Sequence, residues 1–266
     1  MYRNTCGQMT VSQRAIRKVF CNPMLVILGI LYSLLSVLLL VDLIDYLFIG
    51  SMLKDSDAGS GNIWLTLMGI LFVVYCFGAP IFMAAACFTL RSNAKSNPRK
   101  PMKNTGSSIL LAGAIMQSVC WLAFTVVFCI VISFMVMQFG KFSFEGVAII
   151  ATLVCIPLFY AVYSVCFIGF AESVRMNVVK DKVITKFSIA TAVTNIIFAI
   201  GTLFVYVMSQ ASALGAVEDA SIADMSLING YSVPLLIVIN LLMAIYVLWY
   251  RSVLKKCAQE VKFENK

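Results

Sequence analysis

Histidine is missing from all 266 residues of this chain. That absence removes Ser-His-Asp and Cys-His nucleophile systems, HExxH zinc sites and His-ligated haem. Charge is scarce as well. Asp, Glu, Lys and Arg make up 12% of the chain, about half of what a soluble domain carries. A water-soluble fold of this length needs far more charged surface to cover its apolar content. No P-loop, Rossmann or kinase glycine pattern occurs, so the usual backbone phosphate cradles are excluded. CxxC is absent too. Of nine cysteines, Cys76, Cys87, Cys120, Cys129, Cys155 and Cys166 lie inside apolar runs, and Cys6, Cys21 and Cys257 lie in or near polar ends. They read first as small apolar packing residues rather than disulfides or metal ligands. No metal or other cofactor is expected, and no catalytic residue.

What the chain has is oil: 61% of it is hydrophobic. A hydrocarbon core about 30 Å thick needs about 20 apolar residues in a helix. Six stretches qualify, at roughly 23–48, 63–90, 108–138, 146–171, 187–208 and 233–250. Only helices and closed barrels satisfy their backbone in lipid, and the alternation of a barrel strand is lacking. The expected fold is therefore all-α, an integral membrane bundle of six transmembrane helices forming one domain. No soluble domain fits. The longest outer loop, 209–231, has 23 residues and is too short to bury a core. No internal repeat is visible, since Pro80 and Pro157 fall in the second and fourth spans, where an inverted repeat would pair the second with the fifth.

Orientation follows from Lys and Arg in the short loops. With the N-terminus inside, the first cytoplasmic segment holds Arg3, Arg14, Arg17 and Lys18. The second holds Arg91, Lys95, Arg99, Lys100 and Lys103; the third holds Arg175, Lys180, Lys182 and Lys186. The tail holds Arg251, Lys255, Lys256, Lys262 and Lys266. Only Lys54 and Lys141, of 20 basic residues, fall outside. One miscounted helix would invert every later loop, so this split argues for six spans with both termini cytoplasmic. It also accounts for the net charge of +8 without nucleic acid. Asp42, Asp45, Asp55, Asp57, Glu145, Glu218, Asp219 and Asp224 lean to the outer side.

Several local patterns carry structural expectations. Asn22 can cap the first span, and Pro23 suits a first helical position. The run Leu25 to Val41 is long for a signal peptide, and no small-residue cleavage site follows at once. Ahead of it lies an amphipathic interfacial helix, with Thr10 and Gln13 as a capping box. Val11, Ala15, Ile16, Val19 and Phe20 cover one side of it, and Arg14, Arg17 and Lys18 favour the other. Such a helix lies on anionic lipid or receives force from a cytoplasmic partner. Pro80 and Pro157 should kink their spans. Asp42 and Asp45 share a face at the outer end of the first span and read as a boundary marker, with cation binding or acid–base chemistry as the sharper alternative. Glu172 and Arg175 read as a surface ion pair.

The polar candidates inside the bilayer are Asn195 and Asn240, both near mid-depth. Asn195 belongs to a small-residue stripe with Ser188, Thr191, Ala192 and Ala199. Such a face packs helices closely, and an amide in hydrocarbon seeks an interhelical partner worth about 1 kcal/mol. The sharper reading is a substrate or ion site made by the two amides. Gln117 and Ser118, and the stripe Gly29, Ser33 and Ser36, read as packing faces. No span carries a row of charges, which disfavours a voltage sensor or proton relay.

The Asn22-Pro23 helix start, the Lys100-Pro101-Met102-Lys103-Asn104-Thr105-Gly106 loop and the six-span layout resemble uncharacterised membrane proteins of Gram-positive anaerobic bacteria. The resemblance implies a cell-membrane address and no assigned activity. The layout also looks like permeases of the ABC-2 type, which have six spans, inside termini and a basic amphipathic helix where Val11 to Phe20 stands here. That likeness implies a cytoplasmic ATPase as partner. The expected role is a non-catalytic multi-pass accessory or scaffold protein whose partners are the lipid bilayer and other membrane subunits. A transporter or permease subunit working with an ATPase is the alternative. An intramembrane enzyme would have to use Asp42 or Asp45.

Overall fold

The computed structural model describes residues 10–53, 63–96, 100–139, 144–181, 183–215 and 232–264. Among the described residues every regular element is a helix: α1 (Val11–Phe20), α2 (Pro23–Leu53), α3 (Ile63–Lys95), α4 (Thr105–Phe139), α5 (Phe144–Lys180), α6 (Ser188–Gly215) and α7 (Ser232–Glu264). α2 to α7 run for 28 to 37 residues, about 42 to 55 Å at 1.5 Å per residue. Each overlaps one of the expected apolar stretches. Four contain segments long and apolar enough to cross a bilayer: Pro23–Val41, Thr105–Ala123, Cys155–Lys180 and Ser232–Glu260. Ser188–Phe204 is apolar over 17 residues.

Local chemistry sets the helix starts. Asn22 Oδ1 accepts from the Met24 amide at 2.9 Å, and Pro23 opens α2. Thr10 Oγ1 accepts from the Gln13 amide at 3.1 Å and caps α1. These bonds satisfy amides that have no partner within the helix. Pro80 and Pro157 both lie within continuous helices, α3 and α5.

The bundle is apolar on its outer faces as well as in its core. On α2 the exposed positions are Ile27, Ile30, Leu34, Val37 and Val41; on α4 they include Ile115, Val119, Leu122 and Val126. On α6 they include Ile189, Val193, Ile197, Ile200 and Phe204. Steps of three and four place each set on one helix face. Buried positions meanwhile include Gln117, Ser118, Ser164, Asn177, Thr191, Thr194, Asn195 and Asn240. Water would reverse this pattern. Lipid suits it, because an apolar stripe costs nothing against acyl chains while Gln117, Asn177, Thr191, Thr194, Asn195 and Asn240 hydrogen-bond within the protein.

Chain neighbours from α2 to α7 pack against each other in sequence, and α2 packs on α7. α3 and α4 approach closely because Gly106 and Gly113 carry no Cβ. A Cβ at Gly106 would sit 2.7 Å from the Leu90 nitrogen, and one at Gly113 3.1 Å from Phe82 Cβ.

α1 departs most from expectation. Its apolar side is consumed by the bundle: Ala15, Ile16, Val19 and Phe20 are all buried, and α1 packs on α7, α3 and α5. It runs antiparallel to α7, with Val11 near Cys257 and Val19 near Tyr246. Arg17, expected on the polar side, is 7% exposed. α1 is thus a wedge between helix ends, not a helix resting its apolar face on lipid.

Candidate functional site

The two amide candidates sit on packed neighbours, α6 and α7. Each serves its own helix. Asn195 Nδ2 donates to the Thr191 carbonyl at 2.7 Å, and Asn240 Nδ2 donates to the Leu236 carbonyl at 2.8 Å. The interhelical bond expected of Asn195 is made instead by another member of its stripe: Thr191 Oγ1 donates to the Cys166 carbonyl of α5 at 2.8 Å. A small side chain on a close face reaches the neighbouring backbone, while the longer amide folds back along its own turn. These bonds do not join Asn195 and Asn240 into one site. The side chains of Asp42 and Asp45, the Lys54 and Lys141 positions, Arg99 and residues 216–231 lie outside the described residues.

A polar and aromatic cluster joins α4, α5 and α6 near the middle of each helix. Gln117 Nε2 donates to Tyr163 Oη at 3.2 Å. Trp121 stacks on Tyr160 with centroids 5.0 Å apart, and Phe198 meets Trp121 edge-on at 5.3 Å. Ser118 Oγ and Ser164 Oγ are buried without hydrogen-bond partners among the described residues. The cluster packs three helices by its rings. A cavity among the described residues lies elsewhere, is about 20 Å³, and admits one water-sized body.

The densest polar geometry is at the basic end, around α1. Arg17 donates through Nη1 to the carbonyls of Ala94 at 3.0 Å and Ser96 at 2.7 Å, and through Nη2 to Lys100 at 2.6 Å. The Ala94 and Ser96 carbonyls stand at the end of α3, where a helix leaves acceptors unpaired and carries partial negative charge, and the Lys100 carbonyl lies further along the connector to α4. A planar guanidinium reaches three such acceptors at once; an ammonium does not hold that fork. At the other end of α1, Thr10 Oγ1 donates to Asp181 Oδ2 at 2.7 Å. Along its length, Phe20 meets Tyr250 with ring centroids 6.2 Å apart. Cys257 Sγ donates to the Val11 carbonyl at 3.4 Å.

The α5–α6 connector that receives Thr10 is itself fixed. Asn177 donates to the Ile184 carbonyl at 2.8 Å and accepts from the Ile184 amide at 2.6 Å, and it also donates to Tyr250 Oη at 2.6 Å. Asp181 and Phe187 bracket the connector with left-handed φ values of 48° and 62°, a conformation that costs a non-glycine residue energy unless its surroundings hold it. Gly169 makes room for the Phe187 ring, since a Cβ there would fall 2.6 Å from it. Nearby, Arg175 Nη2 donates to Glu172 Oε1 at 3.2 Å, the expected ion pair. Both partners are about a third exposed or more, so its contribution is small.

Sequence patterns announce the capping of α1 but not the roles of Arg17, Asp181, Asn177 and Tyr250. Arg17 follows Ile16 and precedes Phe20 by three, so it borders the apolar face; that placement is the available signal. Asn177 and Asp181 act through a connector conformation that no spacing rule announces. No family model matches this chain, and neither a curated protein nor a solved structure matches it.

Proposed function

We propose that this chain is a six-span protein of the cell membrane, with its α1 end in the cytoplasm, serving as a non-catalytic accessory or scaffold subunit. The observation that carries this reading is the set of apolar stripes that the long helices turn outward, away from a core that also holds amides and hydroxyls. The six long helices α2 to α7 supply six candidate crossings, and the positive-inside rule supplies the orientation. Rigid packing through ring stacks and glycine contacts suits a body that holds other membrane proteins by its outer faces. Affinity purification of the tagged chain in mild detergent, followed by mass spectrometry, tests it. The scaffold reading expects stoichiometric membrane proteins and no stimulated ATPase activity.

A permease subunit is the second reading, and one observation favours it: α1 touches α3, α5 and α7 together, so a force on it reaches three spans. The same purification then expects a nucleotide-binding ATPase as the main partner, and ATP hydrolysis that depends on this chain. Loss of transport in Asn195→Leu/Asn240→Leu would place the amides on the substrate path; retained transport removes them.

A further inference from the structure

α1 sits where helices α3, α5 and α7 end, and it fills the space between them. Three features make that position exchangeable rather than fixed. First, α1 and α2 are separate helices with a break at Cys21 and Asn22, so α1 can swing as one body. Secondly, a packing fault lies at its tip. An apolar cavity is lined by Phe20 of α1 together with Leu25, Cys87, Leu90, Phe170 and Tyr250. Away from it, packing is close at Gly29 and Gly78, where a Cβ has no room. Thirdly, its own polar side chains reach helix ends and connectors, Arg17 the end of α3 and the α3–α4 connector and Thr10 the α5–α6 connector, while Tyr246 and Cys257 of α7 donate to its backbone. The α5–α6 connector is anchored by Asn177 independently of α1.

We propose that α1 is a hinged plug of the basic-end mouth, latched by Arg17 and by the Thr10–Asp181 bond, whose release opens the path from the aqueous phase to the Phe20 cavity. The latches give it a trigger. Whatever displaces the α3–α4 connector takes the Ser96 and Lys100 carbonyls from Arg17, and a buried guanidinium that loses acceptors favours a position nearer water. The plug operates alike in a scaffold and in a permease subunit. It therefore stands or falls separately from the proposed function.

Native cysteines report on it. Cys257 is buried beneath α1, Cys87 lines the cavity, and Cys120 is buried on α4. The full-length protein in lipid vesicles is treated with N-ethylmaleimide, and labelling is followed at each cysteine by peptide mass spectrometry. Arg17→Gln and Thr10→Val should raise labelling of both Cys257 and Cys87. About tenfold is expected for Arg17→Gln, the change in an opening equilibrium that follows loss of a charge-assisted hydrogen bond. Thr10→Ser, which keeps the hydroxyl, should label like the native chain, and Cys120 should not change in any variant. Should Arg17→Gln fail to insert, Thr10→Val carries the test alone. An unchanged Cys257, a rise at Cys257 without one at Cys87, or a parallel rise at Cys120 would each overturn the plug.

Discussion

Two glycines separate packing from permissiveness. Gly106 faces backbone, with the Leu90 nitrogen 2.7 Å and the Leu90 Cα 3.0 Å from where a Cβ would stand, whereas Gly201 has nothing within 4 Å. Gly106→Ala must therefore push α4 off α3, at a cost of about 1–3 kcal/mol for overpacking. Gly201→Ala should be neutral or stabilising by up to about 1 kcal/mol, through helix propensity. Thermal unfolding in one detergent should rank Gly201→Ala at or above native and Gly106→Ala well below it. The amides make a parallel case. Asn195 and Asn240 bond within their own turns, so replacing both with Leu exchanges two internal bonds for apolar packing. The double variant should fold and lose about 1 kcal/mol or less per site by the same measurement. Both residues are legible in the sequence as buried polar groups in apolar helices. The acceptor each takes is not, because that depends on side-chain reach against a neighbour whose distance the sequence does not encode. Arg17 shows the same limit in reverse: its type suggests solvent, and only the unpaired carbonyls ending α3 explain its burial.

At the scale of elements, hydrophobic run length is enough to place the long helices, since α2 to α7 each overlap one apolar stretch. Boundaries are less legible. α5 continues to Lys180 and α7 to Glu264, well past their apolar runs, because helix geometry persists in water where other helices cover it. The α1 range Val11–Phe20 is readable from its cap and amphipathic pattern. Its partner is not: an amphipathic face fits lipid and protein equally well. The outward stripes give a sharp element-level test. Leu34 is 46% exposed within the α2 stripe, and it lies near the middle of an apolar segment, Pro23–Val41. In a soluble helix Leu34→Lys would be harmless. In a bilayer it costs about 2.5–3.5 kcal/mol of insertion at the helix centre. Membrane-fraction yield of Leu34→Lys should fall sharply, whereas Lys18→Leu, an exchange at the exposed edge of α1, should leave yield intact. Equal yields would argue that α2 does not meet lipid.

For the whole molecule, the question is which side each end occupies. Contacts through α1 answer half of it. Thr10 reaches Asp181 beyond α5, Arg17 reaches the end of α3, and Val11 meets Cys257 on α7. The ends of α3, α5 and α7 therefore share one end of the bundle with the start of α2. Arg14, Lys18, Lys95, Lys100, Lys103, Lys180, Lys186, Lys255 and Lys256 are carried there and are exposed. Loop charge in the sequence groups these segments by counting spans; the bundle groups them by contact, which owes nothing to that count. Two routes to one grouping leave the choice of side to the proposed orientation, in which the positive-inside rule keeps cationic loops in the cytoplasm. A phosphatase reporter fused after Asn104 or at the C-terminus should accordingly be inactive in the external compartment, and one fused after Gly61 should be active there. Reversing the bias tests its cause. Adding lysines to the short connector between α2 and α3 should lower the activity of the Gly61 fusion, because that connector then competes for retention inside. If the Asn104 fusion is externally active in the native chain, α1 faces the outer compartment and the plug opens to that side.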